Sequence, residues 1–207
     1  MRIDFWTLDE HQAFIKQIQP ESRYYILFQI LYWTGMRIGE LLALTKSDID
    51  FRSCKISITK TYYRNDGQDI ITAPKTNSSI RVIEIPGFLA EEIEKYMSRI
   101  YGLKDEQRLF PIVQEAVQHK LKREIQKGNL HKIRVHDFRH SHVAYLIHQG
   151  IEPLIIKERL GHKDIKMTLN TYGHLYPTRQ REVADMLDKI HVENGKEENG
   201  KGTNESQ

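Results

Sequence analysis

Six side chains in this 207-residue sequence have the types and spacing to carry out chemistry: Arg37, Lys75, His136, Arg139, His162 and Tyr172. Four of them lie in one stretch, 136–174. It holds three polar clusters separated by apolar helical filler: His136-Asp137-Phe138-Arg139-His140, Leu160-Gly161-His162 and Thr171-Tyr172-Gly173-His174. Imidazoles, a guanidinium and a phenol recurring in this way suit a phosphate site with a tyrosine beside it. At its reference pKa near ~10 only about a thousandth of a tyrosine is phenolate at neutral pH, a deficit of roughly 4 kcal/mol. Nearby positive charge and an adjacent base can recover that deficit. Two forked guanidiniums, Arg37 and Arg139, can neutralise charge building on the non-bridging oxygens of a phosphate. A lysine such as Lys75, with its pKa lowered beside two arginines, can give a proton to a leaving oxygen. His136 and His162 can donate hydrogen bonds to phosphate or shuttle protons. Taken singly, each has a plain alternative: surface arginines usually form solvent-exposed ion pairs, loop lysines are usually solvated, and one tyrosine among ten is usually a packing residue.

These residues need a frame, and the sequence supplies one. Thr7 and Glu10 form a capping box that starts a helix ending near Pro20. Residues 21–33 are apolar enough for a core helix, with Gly35 as its natural stop. Arg37 sits at the turn before a short third helix over 36–44. From Asp48 to Pro86 the pattern changes to period two: 55–59 alternates, Asp66-Gly67 is a hairpin turn, and 80–85 alternates again, with Ile80, Val82 and Ile83 set against Arg81 and Glu84. This predicts a small antiparallel sheet of two or three strands whose loop, 73–79, carries Lys75. Helices follow at about 88–101, 112–126, 137–149, 152–160 and 165–171, and a last one over 179–190 after Pro177. The last has Val183, Met186, Leu187 and Ile190 as a narrow apolar stripe, suited to folding back on its own domain or to docking on another copy. The fold class is therefore α+β, a mainly helical domain spanning 1–190, with a polar tail over 191–207 expected to be disordered.

Composition sets limits without choosing a function. No apolar run approaches a membrane span, the N-terminus lacks a signal-peptide pattern, and the single Cys54 fits a reducing compartment, so a cytoplasmic location is expected. Net charge is +3, and the tail holds −2, which leaves +5 on residues 1–190. That balance favours a polyanionic partner only weakly. Ten histidines, with His136 and His140 at i, i+4, also allow a metal reading, and His136-Asp137 faintly matches metal-dependent phosphohydrolases. No carboxylate cluster or His-Glu-x-x-His pattern accompanies them, so neither metal nor cofactor is expected.

In combination the motifs are specific. Thr34-Gly35-Met36-Arg37-Ile38-Gly39-Glu40, Pro74-Lys75-Thr76 before a strand ending in Ile85-Pro86, His136-Asp137-Phe138-Arg139-His140, Leu160-Gly161-His162 and Thr171-Tyr172 occur in that order. Together they resemble the catalytic domain of tyrosine recombinases, the phage integrase family, and look most like integrases of phages and conjugative transposons from Gram-positive bacteria. The resemblance covers about 5–190 and meets the family pattern at each active-site position, with His162 where the family has His or Trp. It departs at the N-terminus, where the core-site and arm-site DNA-binding domains of the family are missing, so the chain is expected to be a catalytic fragment. The resemblance implies that Tyr172 attacks a DNA phosphodiester, leaving a 3′-phosphotyrosyl bond and a free 5′-hydroxyl. Arg37 and Arg139 would clamp the phosphate with help from His162, Lys75 would protonate the leaving 5′-oxygen, and His136 would help move the Tyr172 proton. The role of His140 stays open. Implied partners are double-stranded DNA attachment sites, other recombinase protomers (four in synapsis) and an accessory directionality factor. Three other readings compete: a type IB-like topoisomerase that rejoins the same strand, a DNA-binding module with vestigial site residues, and a metal phosphohydrolase sensitive to chelators.

Overall fold

The computed structural model describes residues 4–74, 77–176 and 180–199. Its first helix, α1 (Leu8–Ile15), begins as the capping box requires: the Thr7 hydroxyl accepts from the Glu10 amide, and the Glu10 carboxylate accepts from the Thr7 amide at 2.8 Å. The apolar run after Ser22 forms α2 (Arg23–Thr34), which ends at Gly35 with φ 65°, a left-handed cap that a side chain would strain. The short α3 (Ile38–Ala43) follows directly, with Arg37 as its N-cap residue.

Among the described residues five strands come next: β1 (Ile49–Asp50), β2 (Lys55–Ile58), β3 (Thr61–Asn65), β4 (Gln68–Thr72) and β5 (Arg81–Glu84). They do not form the one sheet expected. β1, β2 and β5 make a three-stranded antiparallel sheet in the order β1-β2-β5, while β3 and β4 pair as a separate hairpin. Asp66 and Gly67, both with positive φ, close that hairpin rather than linking the strands at 55–59 and 80–85. The mainly helical fold with small antiparallel sheets is as expected; the division of the strands is the correction.

A second correction concerns β5. Opposite Ile56 lies Ile83, and both are buried, while Ile80 and Val82 are exposed and Arg81 turns inward. Hydropathy alone favours Val82 for the inner face. The reason for the reversal is Glu40, whose carboxylate waits on the inner side for the Arg81 guanidinium.

The remaining helices are α4 (Gly87–Ser98), α5 (Gln114–Gly128), α6 (Asp137–His148), α7 (Pro153–Leu160), α8 (Ile165–Tyr172) and α9 (Gln180–Asn199). The core is anchored by aromatic residues from distant parts of the chain. Phe138, at the start of α6, stacks on Phe28 of α2 with centroids 5.3 Å apart and meets Trp6 and Phe14 edge-on. Complete burial of a ring of this size stabilises by roughly 2–3 kcal/mol, and here it fixes the first turn of α6, the turn that carries Arg139.

The chain divides into two compact units, one ending at Leu175 and one beginning at Tyr176. The first holds α1 to α8 and both sheets. The second holds α9, which continues past Ile190 into the polar tail and leaves Val183, Met186, Leu187 and Ile190 exposed. Among the described residues no helix is long and apolar enough to cross a membrane.

Candidate active site

Arg139 lies at the centre of the site. Its side chain is buried, and two of its N–H groups are engaged by backbone: Nη1 donates to the Gly35 carbonyl and Nη2 to the Leu160 carbonyl, each at 2.8 Å. Those carbonyls end α2 and α7, where helices leave acceptors unsatisfied and present the negative end of their dipoles. Both helices stop in left-handed glycines, Gly35 and Gly161. A Cβ on Gly35 would lie 2.6 Å from His142 Cδ2, and one on Gly161 would lie 2.8 Å from the Ser78 carbonyl. Two glycine stops thus bring two helix ends onto one guanidinium. Burial, reinforced by the facing charge of Arg37, draws Arg139 down to about 9, still fully cationic at neutral pH.

Arg37 reaches the site from the N-cap of α3. Its Nη1 donates to Glu40 Oε1 at 2.9 Å, and its amide donates to the other carboxylate oxygen. Glu40 is buried and also takes both terminal nitrogens of Arg81, at 3.1 and 2.8 Å. Burial alone would raise this carboxyl, but the bonds and charge of Arg81, with help from Arg37, hold it below the usual carboxylate range. Arg81 also donates to the Ser79 and Arg159 carbonyls, so one side chain joins β5, the turn preceding it and α7. Three arginines face one glutamate here, and the surplus positive charge suits an anionic guest.

Three histidines surround the arginines. His162 follows the Gly161 stop of α7 and shares a 2.9 Å hydrogen bond between Nδ1 and Thr168 Oγ1. Burial, then Arg139, Arg37 and Arg81 in turn, pushes it down to about 4. His136 caps α6, and burial followed by the charge of Arg139 lowers it too. Its ring meets that of His140 edge-on at 5.2 Å. His140 Nδ1 lies 2.7 Å from the Tyr172 phenol oxygen.

Tyr172 ends α8 and is only 2% exposed. Burial pushes its phenol up to about 12 against the pull of Arg139, so the resting group is protonated. Arg37, His136, His162 and Tyr172 therefore each lie within electrostatic reach of Arg139. Lys75 falls outside the described residues, between the end of β4 and the turn that leads into β5. Among the described residues no group of three or more His, Cys, Asp or Glu is arranged to hold a metal ion.

Sequence reasoning missed Glu40 and Arg81 as a pair, because their positions are 41 residues apart and Arg81 reads as the polar side of a strand. The signal available was Glu40 three residues after Arg37, an i, i+3 opposite charge on a helix start. Asp137 was also missed: it accepts from the Arg134 amide and from two Arg134 side-chain nitrogens, and it caps the turn that holds His136.

Helices packed round small antiparallel sheets, with this order of site elements, define a tyrosine recombinase catalytic fold. The integrase of transposon Tn1549, solved in complex with circular intermediate DNA, superposes with a TM-score of 0.77 at 25% identity, over 92% of this chain and 68% of that one. The phage integrase family pattern matches residues 5–179, and the chain belongs to that family. Among its relatives, the ICEBs1 integrase of Bacillus subtilis (strain 168) is 37% identical over 207 residues, covering 91% of this chain and 55% of that protein. The integrase of Staphylococcus phage L54a is 30% identical over 174 residues, covering 76% of this chain and 49% of that protein. The chain thus spans about half the length of the curated relatives it matches.

Proposed function

We propose that the chain carries the catalytic part of a site-specific DNA recombinase, which cuts and rejoins strands through a 3′-phosphotyrosyl intermediate. The observation that supports this best is the Tyr172 phenol within electrostatic reach of the buried Arg139, which itself faces Arg37. Tyr172 oxygen bonds to the phosphorus of a DNA phosphodiester, and the bond to the 5′-oxygen breaks. Arg37 and Arg139 hold the non-bridging oxygens, and their charge is worth most against the dispersed negative charge of the transition state. Neutral His162 donates from Nε2 to the same phosphate, in the tautomer whose Nδ1 accepts from the Thr168 hydroxyl. Lys75 gives the leaving 5′-oxygen its proton, and His136 adds a polar partner beside the arginines. The phosphotyrosyl bond keeps the energy of the phosphodiester, so a 5′-hydroxyl from a second strand reverses the step without ATP or metal.

The partners in this reading are duplex attachment sites, further protomers that assemble as a tetramer on DNA, and an accessory directionality factor, all acting in the cytoplasm. Joining of two DNA sites separates it from a topoisomerase, which relaxes one.

The test uses a nicked suicide DNA substrate, which loses its 5′-hydroxyl fragment after cleavage and traps the covalent adduct. The unaltered chain should accumulate adduct, and Tyr172→Phe should form none while binding DNA equally well. Adduct persisting in that variant would place the nucleophile on another side chain.

A further inference from the structure

Among the described residues, the side chain bonded to the Tyr172 oxygen is His140, not His136. His140 stands one turn beyond His136 on α6 and directly after Arg139, so the segment that sets the guanidinium also sets this ring. Its two nitrogens face different groups. Nδ1 meets the phenol at 2.7 Å, and Nε2 lies 3.9 Å from Asp137 Oδ1. Asp137 is 1% exposed and is fixed by the amide and guanidinium of Arg134. Phenol, imidazole and carboxylate therefore lie in series, with the carboxylate beyond hydrogen-bond distance of the ring but near enough to favour a proton on it.

Resting upon the assignment of Tyr172 as nucleophile, we infer that His140 is the catalytic base that takes the Tyr172 proton, with Asp137 as its positioning residue. As the phenol oxygen bonds to phosphorus, its O–H bond breaks and the proton passes to His140 Nδ1. The P–O5′ bond breaks with its electron pair on the 5′-oxygen, which is protonated separately. In the reverse step a 5′-hydroxyl attacks, and His140 returns the proton to the departing phenolate.

The charged and titratable groups facing His140 are His136, Asp137 and Arg139 of α6, Arg134 before it and Tyr172 of α8. Burial, then His136, lower His140 to about 4, so the ring is neutral at neutral pH, and the tautomer with its proton on Nε2, toward Asp137, leaves Nδ1 to accept from the phenol. Proton transfer ahead of substrate would be unfavourable from a phenol at about 12. The phosphate brings negative charge into the same cationic pocket, and still more develops as the phosphorus becomes five-coordinate, so transfer accompanies attack.

The experiment measures single-turnover adduct formation on the nicked suicide substrate across a pH series for the unaltered chain, His140→Ala and His140→Asn. Both variants should bind DNA normally and form adduct roughly 100-fold more slowly or worse at neutral pH. Their rates should climb about tenfold per pH unit, as hydroxide replaces the lost base, and added imidazole should partly restore His140→Ala. A substrate with sulfur at the 5′-bridging position, whose leaving group needs no proton, should leave the defect unchanged. His140→Asn keeps a hydrogen-bonding group but cannot titrate, so full activity in that variant would overturn the inference. Rescue of either variant by the sulfur substrate would also overturn it, by moving His140 to the leaving-group side. If Tyr172→Phe is silent while the His140 variants react normally, this inference alone fails; adduct from Tyr172→Phe would remove the assignment beneath it.

Discussion

At the scale of single residues, burial moves the pH at which the imidazoles of the fold take up protons. His11, His140 and His162 are all held near 4 by burial, and buried His142 is also pushed well below its ordinary value. An unfolded chain would protonate these groups near their ordinary value of about 6.5. Above that pH both states are neutral and stability is complete. Between about 6.5 and 4 the unfolded chain binds protons that the folded one excludes, so stability falls as pH falls. Below that window the loss deepens as Glu40 and Asp137, both held low by arginines, take up protons. Urea midpoints measured from about pH 7.5 down to about 4.5 should therefore decline steadily. A flat profile over that range would mean that the imidazoles are more hydrated than the fold implies.

At the scale of elements, Arg81 is the side chain to test, since it ties β5, α3 and α7 through Glu40 and the Arg159 carbonyl. Arg81→Met leaves Glu40 buried with Arg37 as its remaining ionic partner. Breaking a buried pair from one side costs on the order of 3 kcal/mol, and urea unfolding should show a loss of that size. Glu40→Gln added to it should recover part of the loss, because the uncompensated charge is then gone. Adduct formation should also slow in Arg81→Met, since Arg37 loses the neighbour that fixes its carboxylate. The same residue shows where sequence reading reached its limit. The helix start at Thr7 and the stop at Gly35 were legible because both act through local backbone chemistry. The face of β5 was not, because an inward arginine is explained only by a carboxylate from another element. Likewise Asp66-Gly67 was legible as a turn, but which strands it joins depends on β2 finding β5 across the chain. Arg37, Arg139 and Tyr172 could be picked out as candidates by type and order, whereas the contact between His140 and Tyr172 depends on how α6 packs against α8.

At the scale of the whole molecule, charge would govern binding to the DNA proposed as partner. Residues 1–190 carry +5, and the three site arginines face a single glutamate. Binding to duplex should weaken steeply with salt, since each neutralised phosphate releases condensed counterions. Arg37→Ala and Arg139→Ala should each stop adduct formation. Arg37→Ala should in addition lower the slope of log K against log salt by about 1, the signature of one lost phosphate contact. Filter binding at several salt concentrations checks the slope, and an unchanged slope would mean that Arg37 serves Glu40 rather than DNA.

The phenol at the end of α8, only 2% exposed, has a bearing on the genome that houses such a chain. A recombinase that drifts along a chromosome brushes vast numbers of irrelevant phosphodiesters for each proper target. If Tyr172 is the nucleophile proposed above, its oxygen would meet them shut inside the fold, and breakage would be reserved for encounters that free the phenol.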